Sequence, residues 1–570
     1  AVPAPPAPVP APPAAPAAPA PAATVVFADG WVTKRTPQVG RSANGMVVTN
    51  SPAASRAGAE ILRAGGNAVD AAVATGFALA VTWPAAGNLG GGGFSVVQYA
   101  DGRRAALDYR EQAPGAATRD MYVRANGRVG DESVVGWKAS GVPGSPMGLL
   151  QLHARFGKLP RAVVMAPAIR LAREGVPVDT GLHESIVGSR ALLERFAGRD
   201  VFLPNGAPPA IGTVLRQPAL ARTLQAIADS GEAAFYRGWI ADSIAAEMAR
   251  NGGLITKGDL ARYTAAWRAP LVFTYRAWTL VGMPPSSSGG VTMAETMNIL
   301  ENAPALPPFG STQRLHLTAS ALQRAFIDRN TKLGDPDFVK VPLDELTSKA
   351  YAKALWATID PARATPTPTF GEGRREGTNT THYSVVDRDG NAVATTTTLN
   401  NSWGSGVYLA SVGIMLNDEM DDFAVQPGTP NMFGLVQGEA NAIAPGKRML
   451  SAMSPTIVSD RLGTVHMVAG AAGGPRIISA TMQVILNVLE DRMSLADAMR
   501  APRIHHQSLP DAIFWERGGV APAVMDSLKA MGHAFNTGPS GIGNVNAILR
   551  VPGGWEGVPE PRSWGAAIGP

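Results

Sequence analysis

The run Asn379-Thr380-Thr381-His382 stands where a polar stretch rich in glycine and proline gives way to alternating sequence. By composition, residues 365–379 read as an exposed linker. Past it, the chain reads as two strands, over 382–387 and 391–399, joined through Asp389-Gly390. A threonine hydroxyl is a weak nucleophile without a base beside it. One solution opens the chain in front of the threonine, so that its own α-amine becomes the base. That chemistry needs Thr, Ser or Cys at the first position of a strand, with a flexible segment before it. Thr380 meets both conditions, with Asn379-Thr380 as the bond to be cut. Ordinary strands also begin with threonine after a loop, so the pattern alone leaves both readings open.

Hairpin geometry separates them further. A two-residue loop at Asp389-Gly390 would place Thr380 opposite Leu399. A three-residue loop, with Gly390 left-handed, pairs Asp387 with Asn391 and places Thr380 opposite Thr398. A slip of one residue reverses the face on which side chains meet. Only the second register brings the Thr398 hydroxyl to Thr380, and it predicts the three-residue loop.

The elements around this hairpin are mixed. A helix is expected over 53–62, closed by Gly65-Gly66, and a second from about Asn67 to Val81. The glycine run 87–93 precedes a strand over 94–99, and 105–109 reads as a strand leading into Arg110. An amphipathic helix is expected from about Gly290 through Leu300. Residues 1–23 are almost wholly Ala, Pro and Val and read as an extended arm outside the fold.

The bulk numbers narrow the function classes. The chain has 570 residues, 45% of them hydrophobic and 17% charged, which suits a large folded core. A formal charge of +5 without a clustered run of Lys or Arg argues against nucleic-acid binding. There is no cysteine, hence no disulfide, thiolate metal site or cysteine nucleophile. The longest apolar stretch, 71–86, is too short and interrupted to span a bilayer. With a start at Ala1 rather than Met, these features lead us to expect a periplasmic or secreted protein.

Beyond these readings the sequence resembles the γ-glutamyltransferase family. Thr380-Thr381-His382-Tyr383-Ser384-Val385-Val386-Asp387 is similar to the start of that family's small subunit. Matching blocks come after it in the family's order: Thr398-Leu399-Asn400, 416–423, 450–456 and Gly473-Gly474-Pro475-Arg476. Earlier in the chain, 65–72, 87–93 and Asp108-Tyr109-Arg110-Glu111 match as well. The resemblance implies a four-layer αββα sandwich of the N-terminal nucleophile hydrolase type. It implies self-cleavage into a large subunit, 24–379, and a small subunit, 380–570, intertwined in one unit. The implied reaction transfers a γ-glutamyl group from a glutathione-like donor to water or to an amino acid or peptide acceptor, without a cofactor or metal.

Carried onto this chain, the resemblance makes Thr380 nucleophile and base and Thr398 the residue that orients its hydroxyl. Gly473 and Gly474 supply backbone amides to the oxyanion. The donor's far end carries an α-carboxylate and an α-ammonium. Arg110, helped by Ser451, suits the carboxylate. Asn400, Glu419 and Asp422 suit the ammonium, the two acids lying three residues apart on one arc. Some positions depart from the family. Ala452 stands where a second Ser is common, a loss of about 0.5–1.5 kcal/mol if its hydrogen bond is not replaced. Glu419 replaces a common Gln. Phe433 stands in place of a common Tyr on an expected lid over 427–438, and Trp403 is expected on the acceptor side.

Other motifs are read as structural. The glycine run lacks the Lys-Ser/Thr of a phosphate loop and reads as close backbone packing. His505-His506 has no third ligand nearby, and His382 reads as a strand residue. Two rival functions remain: a glutaryl or cephalosporin-type acylase on the same scaffold, and an uncleaved, non-enzymatic envelope protein.

Overall fold

In a computed structural model that describes residues 25–367 and 380–570, the chain after Thr380 forms the strand Thr381–Asp387 and returns antiparallel as Ala392–Thr398. Thr381 pairs with Thr397 and Val386 with Ala392, a register that sets Thr380 opposite Thr398. The Asp387 amide donates to the Asn391 carbonyl (3.1 Å), and Gly390 takes φ +86°. This is the three-residue loop with a left-handed glycine. The Asp387 carboxylate fixes it, accepting from the amides of Asp389 and Asn391 at 3.0 Å each. Its other oxygen accepts from the Ala68 amide, tying the loop to the start of a helix.

The hairpin lies inside a seven-stranded antiparallel sheet. Its order is Ala566–Ile568, Gly45–Thr49, Thr381–Asp387, Ala392–Thr398, Gly92–Gln98, Arg104–Tyr109, Ala266–Arg268. A second seven-stranded sheet packs face to face on it. Its order is Gly40–Ser42, Gly554–Val558, Asn544–Val551, Val465–Ala472, Thr456–Ser459, Trp278–Gly282, Leu271–Tyr275. Both sheets mix strands from before and after Thr380. The helix Ala68–Thr82 covers the outer face of the first sheet, and Gly289–Leu300 and Arg476–Leu489 cover the second. The result is helix, sheet, sheet, helix: the expected αββα sandwich.

Local chemistry explains the outer layer. The Asn67 side chain accepts from the amides of Val69 and Asp70, and Asp70 accepts in turn from the Asn67 amide. This reciprocal cap starts the helix where Gly66 ends the preceding turn. All fifteen residues of Ala68–Thr82 are buried, so the helix stays in place by packing.

Between the sheets runs a polar seam. The His382 imidazole is shared between the hydroxyls of Thr396 (2.9 Å) and Ser384 (3.0 Å). Asn546 donates to the His382 carbonyl (2.7 Å) from the second sheet. Gly470 lies under the ring; a Cβ there would sit 2.4 Å from it. The sheets can approach at this point only because residue 470 has no side chain.

One expectation needs correction. Gly289–Leu300 is not amphipathic: all twelve of its residues are buried, because it is enclosed by a sheet and the helices Thr312–Lys332 and Arg476–Leu489. The linker starts exposed at Thr365 and Pro366, as expected, and turns inward at the next residue. Thr367 is buried, its amide and hydroxyl bonded to the Asp511 carboxylate (2.8 and 2.9 Å) and its hydroxyl to Gln323 (2.7 Å). The rest of that linker, 368–379 with Asn379, lies outside the described residues, as does the arm 1–23.

Candidate active site

Thr380 sits at the mouth of the hairpin, mostly buried, and its Oγ1 donates to Thr398 Oγ1 at 3.4 Å. The Asn400 amide donates to the same Thr398 oxygen at 2.7 Å, so that hydroxyl is held from two sides. The glycine run makes this possible. A Cβ at Gly91 would stand 2.1 Å from the Thr398 carbonyl, and one at Gly90 would stand 2.0 Å from that of Met415. These are close contacts between backbones.

Gly473 (φ +132°) and Gly474 (φ +56°) end the strand Val465–Ala472 in conformations that favour glycine. Among the described residues neither amide donates to a backbone or side-chain acceptor in a turn or loop. Gly474 lines the cleft with Thr380 and Thr398, whereas Gly473 opens onto an adjoining pocket beside Gly543. A Cβ at Gly474 would fall 2.7 Å from the Phe433 ring.

The donor-binding candidates converge on the same cleft, which is lined by Arg110, Asn400, Glu419, Asp422, Ser451 and Ala452. Glu419–Asp422 is a short 3-10 turn, and Asn417 ties it down. The Asn417 amide group donates to the carbonyls of Gly90 (2.7 Å) and Gly141 (2.8 Å), and its oxygen accepts from the Gly141 amide (2.8 Å). Arg110 is fully buried, with Nη1 2.7 Å from Glu419 and Nη2 bonded to Asp422. The side chains expected to take opposite ends of a donor therefore pair with one another. Glu419 makes an ion pair without a well-directed hydrogen bond, and both of its oxygens are left without a donor.

Burial pushes Glu419 and Asp422 above the usual carboxylate range, with Arg110 opposing the rise. Neighbouring Glu111 is pushed up to about 7 and Asp421 to about 6, again mainly by burial. Burial works to lower Arg110, but Glu419, Asp422 and Glu111 outweigh it and hold the guanidinium charged.

Phe433 lies on the cleft, carried by the segment 427–438. That segment is pinned by the Asp421 carboxylate accepting from the Met432 amide (2.9 Å), by Gln507 donating to the Phe433 carbonyl (3.1 Å) and by the Gly438 amide on Asn330 (2.9 Å). Trp403 is a correction. Its ring is fully buried in a side core, 4.6 Å edge-on from Phe202, with Nε1 donating to Ser185 (3.1 Å). It does not line the cleft, because an indole of that size is better accommodated among apolar neighbours. The histidines also part company: His505 bonds Ser479 and Gln507, while His506 faces Asp511. Arg329 lines the cleft as well and was not anticipated from the sequence. It comes from the helix Thr312–Lys332, far along the chain, and nothing in its local spacing marks it.

Comparison with known proteins agrees with this architecture. The family model described as Gamma-glutamyltranspeptidase matches residues 54–569. A glutathione hydrolase proenzyme of Pseudomonas sp. (strain A14) is 46% identical over 89% of this chain and 89% of its own. One from Escherichia coli (strain K12) is 44% identical over 92% and 91%. Among solved structures, a cephalosporin acylase from Bacillus halodurans superposes with a TM-score of 0.82 at 28% identity, covering 95% of this chain and 98% of that one. With a family match across nearly the whole described fold and relatives this similar over about nine tenths of their length, the chain belongs to the γ-glutamyltranspeptidase family.

Proposed function

We propose that this protein cuts itself between Asn379 and Thr380 and then hydrolyses or transfers the γ-glutamyl group of glutathione-like donors. The observation that carries the reading is the Thr380–Thr398 hydroxyl contact at the head of a buried strand, in the cleft that also holds Arg110, Glu419 and Asp422. Once freed, the Thr380 α-amine takes the proton from Oγ1 as that oxygen attacks the γ-carbonyl carbon. The carbonyl oxygen gains charge and is met by the amides of Gly473 and Gly474. Collapse breaks the C–N bond, and the ammonium returns its proton to the departing amine. An ester on Thr380 is left, which water or an acceptor amine attacks in the same way. Arg110 and Ser451 hold the donor's α-carboxylate, while Asn400, Glu419 and Asp422 hold its ammonium. Ala452 has no side-chain hydroxyl to give and serves only through its backbone. Phe433 covers the acceptor side.

A glutaryl or cephalosporin-type acylase is the second reading, favoured by the likeness to the acylase structure. A glutaryl donor lacks the ammonium, so Glu419, which has an ion pair to Arg110 but no hydrogen-bond donor, would gain none from it. Export to the periplasm or medium is our reading of the cysteine-free composition; among the described residues no helix is long and apolar enough to cross a membrane.

The test is N-terminal sequencing of purified protein, paired with turnover of γ-glutamyl and glutaryl anilides by the native chain and a Thr380→Ala variant. A new terminus at Thr380, a strong preference for the γ-glutamyl anilide and loss of both in the variant are expected. An intact chain that is fully active, or an active Thr380→Ala, would sink the reading.

A further inference from the structure

Arg329, near the end of the helix Thr312–Lys332, is only 1% exposed, yet its side chain lines the catalytic cleft. Its Nε donates to Ser288 Oγ (3.0 Å), and its Nη1 donates to Asn330 (2.9 Å) and Gln437 (3.3 Å), all neutral groups. Among the described residues its Nη2 makes no hydrogen bond, and no carboxylate lies within ion-pair distance. Other guanidinium groups as deeply buried are neutralised: Arg503 sits 3.0 Å from Glu560, and Arg110 carries Glu419 and Asp422. A buried cation without a counter-ion is costly unless something negative comes to it. Burial pushes Arg329 down to about 10, and the Asp422 charge only partly offsets this.

Its surroundings say where the anion would lie. Ser288 Oγ, which accepts from Arg329, itself donates to the Ser451 carbonyl at 2.6 Å. Arg329 thus stands one hydroxyl behind the wall assigned to the donor's carboxylate. Both η nitrogens of Arg110 are engaged by the two acids, which leaves Arg329 Nη2 as the uncommitted guanidinium nitrogen of the cleft. Two arginines and two carboxylates line the cleft, a balance that suits a zwitterion with its carboxylate on the former and its ammonium on the latter.

We infer that Arg329 is a second guanidinium contact for the α-carboxylate of the γ-glutamyl donor, acting beside Arg110. This rests on the γ-glutamyl reading above. On binding, the ammonium draws Glu419 and Asp422 away from Arg110, and the carboxylate spans the two arginines.

The experiment compares Arg329→Gln and Arg329→Lys with the native enzyme. Two anilides are used, γ-glutamyl-p-nitroanilide and its 4-aminobutyryl counterpart, which keeps the amine but lacks the α-carboxylate. The latter serves as donor or, if turned over too slowly, as competing inhibitor. Arg329→Gln should raise KM for the γ-glutamyl anilide about 10- to 100-fold, with a much smaller change in kcat. The 4-aminobutyryl compound should bind native and variant alike. Arg329→Lys keeps the charge and should show a smaller rise, still confined to the carboxylate-bearing donor. It carries the same test if Arg329→Gln does not fold. Equal losses for both compounds would make Arg329 a mere counter-charge to Asp422 and overturn the inference, as would no loss for either. Native enzyme inert toward the γ-glutamyl anilide would instead sink the γ-glutamyl reading itself.

Discussion

At the scale of single residues, the site is built from groups whose freedom has been removed. Thr398 Oγ1 is fixed by the Asn400 amide and receives the Thr380 hydroxyl. Thr398→Val keeps the branched shape and removes that acceptor. We expect kcat to fall about 3- to 10-fold, the worth of one ordinary hydrogen bond, with the new terminus at Thr380 still formed. Gly474→Ala should cost far more, about 10²- to 10³-fold in kcat. Its Cβ would meet the Phe433 ring at 2.7 Å, and its φ of +56° strains any side chain, so the amide would be turned from its aim. Gly474→Ala protein that is cleaved and works at native rate would remove that amide from the mechanism. These residues were legible in the sequence because each belongs to a run whose neighbours carry the same message. Arg329 was not legible: its role comes from a helix end reaching a cleft assembled by other segments. Trp403 was misplaced for the complementary reason, since nearness to Asn400 in sequence says nothing about which side of a turn an indole takes.

At the scale of elements, the hairpin register came from two requirements, a loop glycine with positive φ and a hydroxyl opposite Thr380. Both are local, which is why sequence sufficed for them. The packing of the second sheet on the first is not local, and neither the burial of Gly289–Leu300 nor the anchoring of Thr367 on Asp511 could be read from composition. Gly470 shows what that packing demands. Gly470→Ala forces a methyl against the His382 imidazole, an overpacking penalty of about 1–3 kcal/mol. The melting temperature should drop, and His382→Ala should restore part of the loss in the double variant, because the two changes share one space. Additive losses would show that the ring is not what the methyl meets. His382 itself is pushed down to about 3 by burial. Its ring is therefore expected to stay neutral from about pH 5 to 9 by NMR, too weakly basic to rival the amine proposed as the base.

At the scale of the molecule, the cleft is closed by a segment held from three remote places: the acidic turn at Asp421, the loop at Gln507 and the helix end at Asn330. Asp421 gives this closure a pH dependence that can be isolated. Burial raises its carboxyl from the ordinary 3.8 to about 6, the nearby Asp422 charge adding to the rise and bonds from the Met432 amide and Ser133 opposing it. Between those values the folded protein holds a proton that the unfolded chain has released, so the folded form binds more protons there. The stability this group contributes is thus full below the ordinary value and is lost as pH rises through about 6. The loss is on the order of 2–3 kcal/mol for a shift of this size. Asp511, pushed down to about 2, changes stability in the opposite sense and at lower pH, and Glu111, pushed up to about 7, in the same sense, so raw melting curves mix several groups. Subtracting an Asp421→Asn variant removes the shared background. The melting temperature of the native protein minus that of Asp421→Asn should decline from about pH 4 to about 6.5 and level off above that. A difference that is flat or rises with pH would mean that Asp421 is charged throughout, and that the segment over the cleft is held by an ordinary carboxylate.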